Sequence, residues 1–169
     1  MLVTAGCFLP TVVRAAASSC VIDERRLNIY NEHTGESLDA CYRRNGNYDP
    51  GALDAINHVL RDHRTGDVKA IDVRLIDLLH VISRKTDKSQ CLHIISGYRS
   101  PKTNEMLRNR SNGVARKSLH MLGHAADIRI PGVKTVDLNM IARKLEKGGV
   151  GCYPRSGFVH VDVGPVRYW

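Results

Sequence analysis

Two polar residues in the last third of the chain each stand inside a short apolar segment with the character of a β-strand. Asp127 lies in AADIRI (125–130), and His160 lies in FVHVD (158–162). The small residues before Asp127 allow neighbouring segments to approach closely. Burying a bare carboxylate or imidazole in such a strand is costly unless the group is paired or bound to a metal. The fold must therefore supply both residues with a partner or a metal ion.

The other segments predict one small domain of mixed secondary structure. Residues 26–30 and 37–42 predict a β-hairpin around a turn at 33–36. Asp49 and Pro50 predict a helix start, as N-cap and first helical residue. Three further helices are predicted, over 72–83, 102–110 and 135–147. Four further strands are predicted, over 91–95, 125–130, 150–153 and 158–163. We therefore expect an α+β fold with a small central, mostly antiparallel sheet flanked by helices.

His120 adds a third metal-binding side chain, seven residues before Asp127 in SLHMLGHAAD (118–127). With His160, two imidazoles and one carboxylate can occupy three corners of a tetrahedron and leave the fourth open for water, as in catalytic zinc sites. Zinc lowers the pKa of such a water to about 7 and polarises a carbonyl group, whereas Mg²⁺ and Ca²⁺ prefer more oxygen ligands. The alternative is that each histidine is an ordinary surface or core residue.

The composition indicates a single domain with a basic surface. The 169 residues suit one core, and 25 Lys and Arg against 17 Asp and Glu give a formal net charge of +8. Such a surface favours anionic partners, including nucleic acid, acidic lipid or an acidic polymer. A nucleic-acid partner is not expected, because the sequence has no helix-turn-helix, RNP motif or zinc-finger spacing. No Cys-x-x-Cys pair supports a cysteine zinc ribbon.

Residues 1–17 have a different character from the rest of the chain. They are apolar, are interrupted by Arg14, and end in Ala15-Ala16-Ala17. An apolar stretch before an Ala-x-Ala-like site is typical of a secretory signal, although the positively charged start is missing. A lipid anchor at Cys7 and a buried N-terminal strand are the alternatives, and the stretch is too short and interrupted for a good transmembrane span. We predict a signal or anchor segment over 1–17 and a single domain over 18–169.

Three segments, in order along the chain, resemble the zinc peptidases that act on D-Ala-D-Ala and related cell-wall peptides. They are SGYRSPKTN (96–104), SLHMLGHAADIRI (118–130) and GGVGCYPRSGFVHVDVGPVRYW (148–169). The sequence is most similar to the MepK-type murein endopeptidases, strongly over the C-terminal half and more loosely over 31–39. The resemblance implies a hedgehog/D-Ala-D-Ala-peptidase-like fold and a Zn²⁺ ion held by His120, Asp127 and His160.

The resemblance also implies residues that contact the substrate. The family loop Ser-Gly-Tyr-Arg-Ser matches Ser96 to Ser100, which implies that Arg99 lines the cleft and acts in catalysis. A guanidinium there binds a substrate carboxylate or the developing oxyanion. The alternative for Arg99 is a structural bond to a backbone carbonyl. Ser96 and Tyr98 are also expected at the substrate, although Tyr98 equally suits a packing role.

The general base departs from the family pattern. Many relatives carry Glu or Asp three residues before the last zinc histidine, and this chain has Gly157 there. The nearest carboxylate is Asp162, two residues after His160 and on the same strand face by alternation. Asp162 is predicted as a catalytic residue that takes a proton from water, or alternatively as the partner that orients a zinc ligand. His124 either points into the cleft or is exposed.

The implied activity is hydrolysis of peptide cross-links in peptidoglycan. The implied bonds join two meso-diaminopimelates, and also D-Ala to diaminopimelate. The expected partner is the peptidoglycan stem peptide, whose carboxylates the basic loop 108–117 can attract. We expect a periplasmic protein that acts as a monomer, with any membrane anchor confined to the N-terminus. Two alternatives stay open: a D-Ala-D-Ala carboxypeptidase, and a non-catalytic, zinc-stabilised module that binds the cell wall.

Overall fold

A computed structural model describes residues 23–86, 91–111 and 113–169. The predicted signal or anchor segment at 1–17 lies outside these described residues. Each predicted helix and strand within them is found, with ends that differ by at most three residues. In the described ranges, none of the helices has the length and apolar character that crossing a membrane requires.

The described chain forms strands and helices in mixed order, with a short 3-10 helix before the fifth strand. In chain order the elements are β1 (Glu24–Asn31), β2 (Ser37–Arg44), β3 (Asn47–Tyr48), α1 (Pro50–Val59), α2 (Val73–Lys85), β4 (Leu92–Ser96), α3 (Pro101–Arg110), the 3-10 helix (Leu119–Leu122), β5 (Ala125–Arg129), α4 (Thr135–Lys144), β6 (Gly149–Tyr153), β7 (Phe158–Asp162) and β8 (Arg167–Tyr168).

Three of the helices begin at a polar side chain that caps the first turn. Asp49, Asp72 and Ser100 each accept a hydrogen bond from a backbone N–H two or three residues further on. Such bonds satisfy donors that the start of a helix leaves unpaired. Proline also occupies an early position of α1 and α3, where its missing N–H costs nothing. The predicted cap at Asp49 is confirmed.

All eight strands belong to one mixed sheet, in the order β3-β2-β1-β4-β5-β7-β6-β8. Five neighbouring pairs are antiparallel, and the pairs β1–β4 and β6–β8 are parallel. The predicted α+β class is therefore confirmed. The sheet is larger than predicted, because the two-residue strands β3 and β8 extend its edges, and it is mixed in direction.

One face of the sheet carries the hydrophobic core. Ala126 and Ile128 of β5 and Val159 and Val161 of β7 are buried in a single cluster. The helices α1, α2 and α4 pack against the sheet and add the apolar residues Ile56, Leu75, Ile76, Leu79 and Leu138 to this cluster. Successive side chains on a strand alternate between faces. The residues between the core positions of β5 and β7 therefore point to the opposite face.

A β-bulge changes the face that β4 presents. Ile94 pairs with Ile128, whereas Ser96 pairs with Asp127. Two steps along β4 therefore match a single step along β5, which is the pattern of a bulge with one extra residue. The bulge turns Ser96 from the core side of the sheet to the side of Asp127.

A buried carboxylate fixes the loop that follows β4. Asp62 is 1% exposed and accepts hydrogen bonds from the backbone N–H groups of Ser100 (2.8 Å) and Arg64 (2.9 Å). Burial opposes ionisation of Asp62, but bonds from the Thr103 and Ser100 side chains and from these two N–H groups hold its pKa well below the usual range. The ionised carboxylate therefore stabilises the loop that carries Arg99.

We expect Asp62→Asn to lower the free energy of unfolding by about 2–3 kcal/mol at pH 7, because an amide turns its NH₂ group toward these donors. The folded-state pKa lies below the unfolded value of about 3.9. The stabilisation is therefore complete well above that value and is lost as pH falls through the folded pKa. Urea unfolding should show a difference between wild type and variant that is full at pH 7 and shrinks below about pH 4.

The matched control is Asp54→Asn, which removes an exposed carboxylate from α1. Its effect on the free energy of unfolding should stay within about 0.5 kcal/mol. A destabilisation by Asp62→Asn that is equally large at pH 3 and pH 7 would show that Asp62 does not act as an ionised acceptor.

Candidate metal centre

A row of paired residues crosses four strands on the face opposite the core. Ser96 of β4 pairs with Asp127 of β5, and Asp127 pairs with His160 of β7. His160 in turn pairs with Gly151 of β6. Residues directly opposite each other in antiparallel strands point to the same face. The sheet therefore brings Asp127 and His160 side by side, although they are 33 residues apart in the chain.

His120 joins this row from the 3-10 helix Leu119–Leu122. Its side chain is 3% exposed, and its Nδ1 lies 2.7 Å from the backbone oxygen of Gly97. A Cβ at Gly97 would lie 2.4 Å from the backbone oxygen of Leu60, so only glycine allows the loop to pass this close to the end of α1. Because a carbonyl oxygen can only accept, the proton of a neutral His120 is on Nδ1. The bare Nε2 then faces Asp127 and His160.

Three donor atoms converge at this point. Nε2 of His120 lies 3.2 Å from Nδ1 of His160 and 3.3 Å from Oδ1 of Asp127. The third distance, from Nδ1 of His160 to Oδ1 of Asp127, is 2.9 Å. In a tetrahedron with metal–ligand bonds of 2.0–2.1 Å, as for zinc, ligand atoms are about 3.3 Å apart. The three side chains therefore have the types and spacing of three ligands of one zinc ion.

The outer hydrogen bonds of the two rings favour a cation between them. Nε2 of His160 lies 3.0 Å from Oδ2 of Asp162, so its proton belongs on that side, as the proton of His120 belongs toward Gly97. With both protons outside, two nitrogen lone pairs and a carboxylate oxygen point at one another. Such an arrangement is repulsive unless a positive charge lies among them.

The local charges point the same way. Burial opposes ionisation of Asp127, but the nearby His120 and His160 hold its pKa well below the usual range. Burial opposes protonation of His160, but hydrogen bonds with Asp127 and Asp162 raise its pKa. The carboxylates thus attract positive charge to His160, and a proton and a metal ion compete for the same nitrogen.

Asp162 lies behind His160, on the side of the ring away from the cluster. It is fully buried, and its Oδ1 accepts from the backbone N–H groups of Gly149 (3.0 Å) and Gly164 (2.9 Å). Arg167 completes the set, with Nη2 2.7 Å from Oδ2. Carboxylates in this position fix the tautomer and orientation of a ligand histidine. The placement favours the second of the two roles predicted for Asp162, which is to orient His160.

Arg99 stands at the Asp127 end of the row and lines a cleft. Its side chain is 12% exposed, and Nη2 lies 3.2 Å from Oγ of Ser96 and 3.5 Å from Oδ2 of Asp127. Nε has no hydrogen-bond partner among the described residues. Arg99 therefore bonds to side chains, whereas the alternative role considered for it was a structural bond to a backbone carbonyl. A half-paired guanidinium in a cleft suits a carboxylate or a carbonyl oxygen of a ligand.

The other two predicted substrate residues lie further from the cleft. Tyr98 packs against the hydrophobic core, and the ammonium of Lys69 lies 5.9 Å from its ring centroid. Neither Tyr98 nor Ser96 belongs to the described residues that line the cleft. The packing alternative for Tyr98 agrees with this placement. Ser96 accepts a hydrogen bond from Arg99 and so positions that guanidinium.

Two further residues considered in the sequence lie outside the cleft. Gly157 ends the turn between β6 and β7 with φ of +70°, a conformation that favours glycine. The turn thus accounts for the missing carboxylate at this position. Nε2 of His124 lies 3.6 Å from Oδ2 of Asp72, at the start of α2. His124 therefore faces α2 and is not one of the described cleft residues.

A cleft of about 370 Å³ opens over the three donor atoms. Its wall on the side of β6 and β7 is aromatic and includes Tyr153, Phe158 and Trp169. The ring centroids of Tyr153 and Phe158 are 4.6 Å apart, and those of Trp169 and His160 are 5.3 Å apart. The metal cluster, by which we mean the three donor atoms of His120, Asp127 and His160, therefore lies between the Arg99 guanidinium on one side and the aromatic rings with Arg167 on the other.

Sequence reasoning assigned no role to Tyr153, Arg167 or Trp169. The sequence feature that could have indicated these residues is the pair of glycines in β6, since a glycine inside a strand often marks the close approach of another group. A Cβ at Gly149 would lie 2.6 Å from Nη1 of Arg167, and one at Gly151 would lie 2.5 Å from the indole of Trp169. The two glycines therefore make room for the two side chains of the β8 segment.

A buried imidazole, a half-buried imidazole and a buried carboxylate, open on one side to a cleft, define a candidate catalytic metal centre of the kind that hydrolases use. Each imidazole is oriented by a second acceptor, as in known zinc sites.

The model of the family described as peptidoglycan L,D-endopeptidase MepK matches residues 19–169. The peptidoglycan L,D-endopeptidase MepK of Escherichia coli strain K12 is 43% identical over 145 residues, which cover 86% of this chain and 80% of that protein. The probable peptidoglycan L,D-endopeptidase MepK of Haemophilus influenzae is 38% identical over 162 residues, which cover 95% and 86%. Among the solved structures, none matches this chain.

The chain therefore belongs to the MepK family of peptidoglycan L,D-endopeptidases. The predicted resemblance to MepK-type murein endopeptidases is confirmed, and so is the prediction of a peptidase. The matched range contains the three donor residues, Arg99 and Asp162.

We expect His120→Ala to lose zinc, because it removes one of the three candidate ligands and leaves the other two facing an open cavity. Metal analysis of the purified protein should fall from about one zinc per chain to near zero. His124→Ala is the matched control, since this histidine lies four residues away in the same segment and outside the cleft; it should keep its zinc. Full zinc content in a folded His120→Ala protein would remove His120 from the site.

Proposed function

We propose that this chain is a zinc metallopeptidase that hydrolyses peptide cross-links in peptidoglycan. The proposed bonds are those between two meso-diaminopimelates, and in second place those from D-Ala to diaminopimelate. The observation that carries the proposal is the convergence of Nε2 of His120, Nδ1 of His160 and Oδ1 of Asp127 within 3.3 Å of one another at the base of a cleft. The relatives named as peptidoglycan L,D-endopeptidases support the choice of substrate.

His120, Asp127 and His160 would hold the zinc ion through these three atoms. Zinc, when bound, supplies the Lewis acidity that activates a water molecule and polarises the scissile carbonyl. The chain contributes the open side of the cluster, which faces the cleft and admits the substrate. Nitrogen and carboxylate donors in this number suit zinc better than Mg²⁺ or Ca²⁺.

Arg99 is proposed to bind the substrate next to this point. Its guanidinium is largely buried but lines the cleft, so it can donate to a carboxylate or a carbonyl oxygen that enters there. Ser96 fixes the guanidinium from behind. As negative charge grows on the carbonyl oxygen during attack, a fixed cation at this place stabilises it.

Asp162 is proposed as a positioning residue for His160. Both of its oxygens are occupied by donors, and it lies behind the imidazole, where the ring separates it from the cleft. Through its bond to Nε2 it keeps Nδ1 bare and aimed at the cluster. Among the described residues that line the cleft, Asp127 carries the sole side-chain carboxylate.

The chain itself is proposed to act outside the cytoplasm, in the periplasm, with residues 1–17 as the export or anchor segment. Peptidoglycan stems are the proposed partner, and Lys117 in the cleft wall adds a positive charge that attracts their carboxylates. We also propose that the protein works as a monomer. In support, the three donor residues, Arg99 and the aromatic wall all come from one chain.

Digestion of purified sacculi tests the proposed reaction. We expect the zinc-loaded protein to convert cross-linked dimers to monomers, as seen by chromatographic separation of the fragments. His120→Ala should be slower by on the order of 10³-fold or more, because the metal is lost. Loss of terminal D-Ala without loss of dimers would instead identify a carboxypeptidase. Sacculus binding without any cleavage would identify a binding module.

The two roles of Asp162 are separated by Asp162→Asn. If Asp162 orients His160, the variant should bind zinc about 10–100-fold more weakly, and activity should recover in part at saturating zinc. Zinc affinity is measured by competition with a chelator, and activity with a defined cross-linked peptide. Unchanged zinc affinity together with a rate that stays low at every zinc concentration would mean that Asp162 moves a proton instead.

A further inference from the structure

The indole of Trp169 lies across strand β6 and reaches the metal cluster. Its backbone N–H donates to the oxygen of Val150 (3.2 Å), and its backbone oxygen accepts from Cys152 (3.0 Å). The side chain then crosses Gly151, and its ring centroid lies 5.3 Å from that of His160. Nε1 donates to the hydroxyl of Tyr153 at 2.8 Å, which fixes the rotation of the ring.

The indole packs directly over Gly151. A Cβ at this position would lie 2.5 to 2.8 Å from three atoms of the ring, closer than side chains tolerate. Gly151 is also the member of the cross-strand row next to His160. Strand β6 therefore has no side chain at position 151, and the free space allows an aromatic ring to lie beside the cluster.

Trp169 remains half exposed, although Tyr153 accepts from its Nε1 and the guanidinium carbon of Arg167 lies 5.1 Å from its ring centroid. It lines the cleft together with Tyr153 and Phe158, and does not belong to the hydrophobic core cluster. Large apolar side chains that are fixed and exposed inside a cleft are typical of ligand contacts. The ring is thus prepared to cover apolar substrate surface that approaches the metal cluster.

We propose that Trp169 is a substrate-binding residue, which holds an aliphatic part of the substrate on the opposite side of the metal cluster from Arg99. The cross-strand row fixes this order: Arg99 at the Asp127 end and Trp169 at the His160 end. The matching ligand has a carboxylate on one side of the scissile amide and an aliphatic chain on the other. Cross-linked diamino acids carry both groups, so this inference rests on the proposed function.

Steady-state kinetics on a defined cross-linked peptide test the role of the ring. We expect Trp169→Ala to lower kcat/KM about tenfold, mainly through KM, and Trp169→Phe to recover most of the loss. Zinc content should stay at the wild-type level in both variants. Tyr168→Ala is the control, since Tyr168 lies next to Trp169 but contacts Arg143 on α4; its kinetics should stay within about twofold of wild type.

Gly151→Ala tests the position of the indole without removing it. The added Cβ should displace the ring and reproduce the rise in KM of Trp169→Ala. In the Trp169→Ala background the same substitution should have no further effect, because no ring is left to displace. If Trp169→Ala does not fold, Gly151→Ala decides the matter alone: an unchanged KM in that variant overturns the proposal.

Fluorescence gives a readout that does not depend on turnover, because Trp169 is the single tryptophan of the chain. Titration of the zinc-loaded protein with the tripeptide L-Ala-D-Glu-meso-diaminopimelate, a product of the proposed cleavage, should shift the emission to shorter wavelength as the indole loses water contact. Saturable binding without a shift overturns the proposal, as does an unchanged KM in folded Trp169→Ala. Wild-type protein that cleaves no cross-linked peptide would instead overturn the proposed function.

Discussion

Each histidine of the cluster is held from behind by an acceptor, and the rest of the site depends on these two bonds. The oxygen of Gly97 takes the proton of His120, and Asp162 takes that of His160. Both rings therefore turn a bare nitrogen toward Asp127. Neither acceptor can turn away, because the Gly97 loop is packed against Leu60 and Asp162 is held by two backbone N–H groups and Arg167. The arrangement of the three donor atoms thus depends on backbone packing as much as on the donor residues.

The sheet converts this local arrangement into a cleft with two different sides. Side chains along β5 and β7 alternate between the core and the site, so the strands that carry the cluster are packed against the core on their other face. The bulge in β4 brings Ser96, and through it Arg99, to the Asp127 end. The glycine in β6 brings an indole to the His160 end. A substrate that binds across the cluster therefore meets the Arg99 guanidinium on one side and the Trp169 indole, with Arg167 beside it, on the other.

Much of this could be predicted from sequence, for physical reasons that differ between residues. Asp127 and His160 lie in apolar strands, where burial of a polar group is costly, so the sequence predicts that both have partners. Strand alternation predicts that Asp162 lies on the same face as His160. The role of Asp162 was left open because a sequence does not show which side of a ring a carboxylate occupies. Trp169 was missed because its position depends on β8, a two-residue strand with no periodic signal, pairing in parallel with β6. The extra width of the sheet was missed for the same reason.

X-ray absorption at the zinc edge of the zinc-loaded protein tests the central claim most directly, since it reports the ligands themselves. The account predicts a first shell of nitrogen and oxygen only, at about 2.0–2.1 Å, with the outer-shell scattering of two imidazoles. Substitution of His160 by Ala should reduce that signal to one imidazole or abolish zinc binding. Sulfur at about 2.3 Å, or an imidazole count other than two in the wild-type protein, would contradict a centre built from His120, Asp127 and His160.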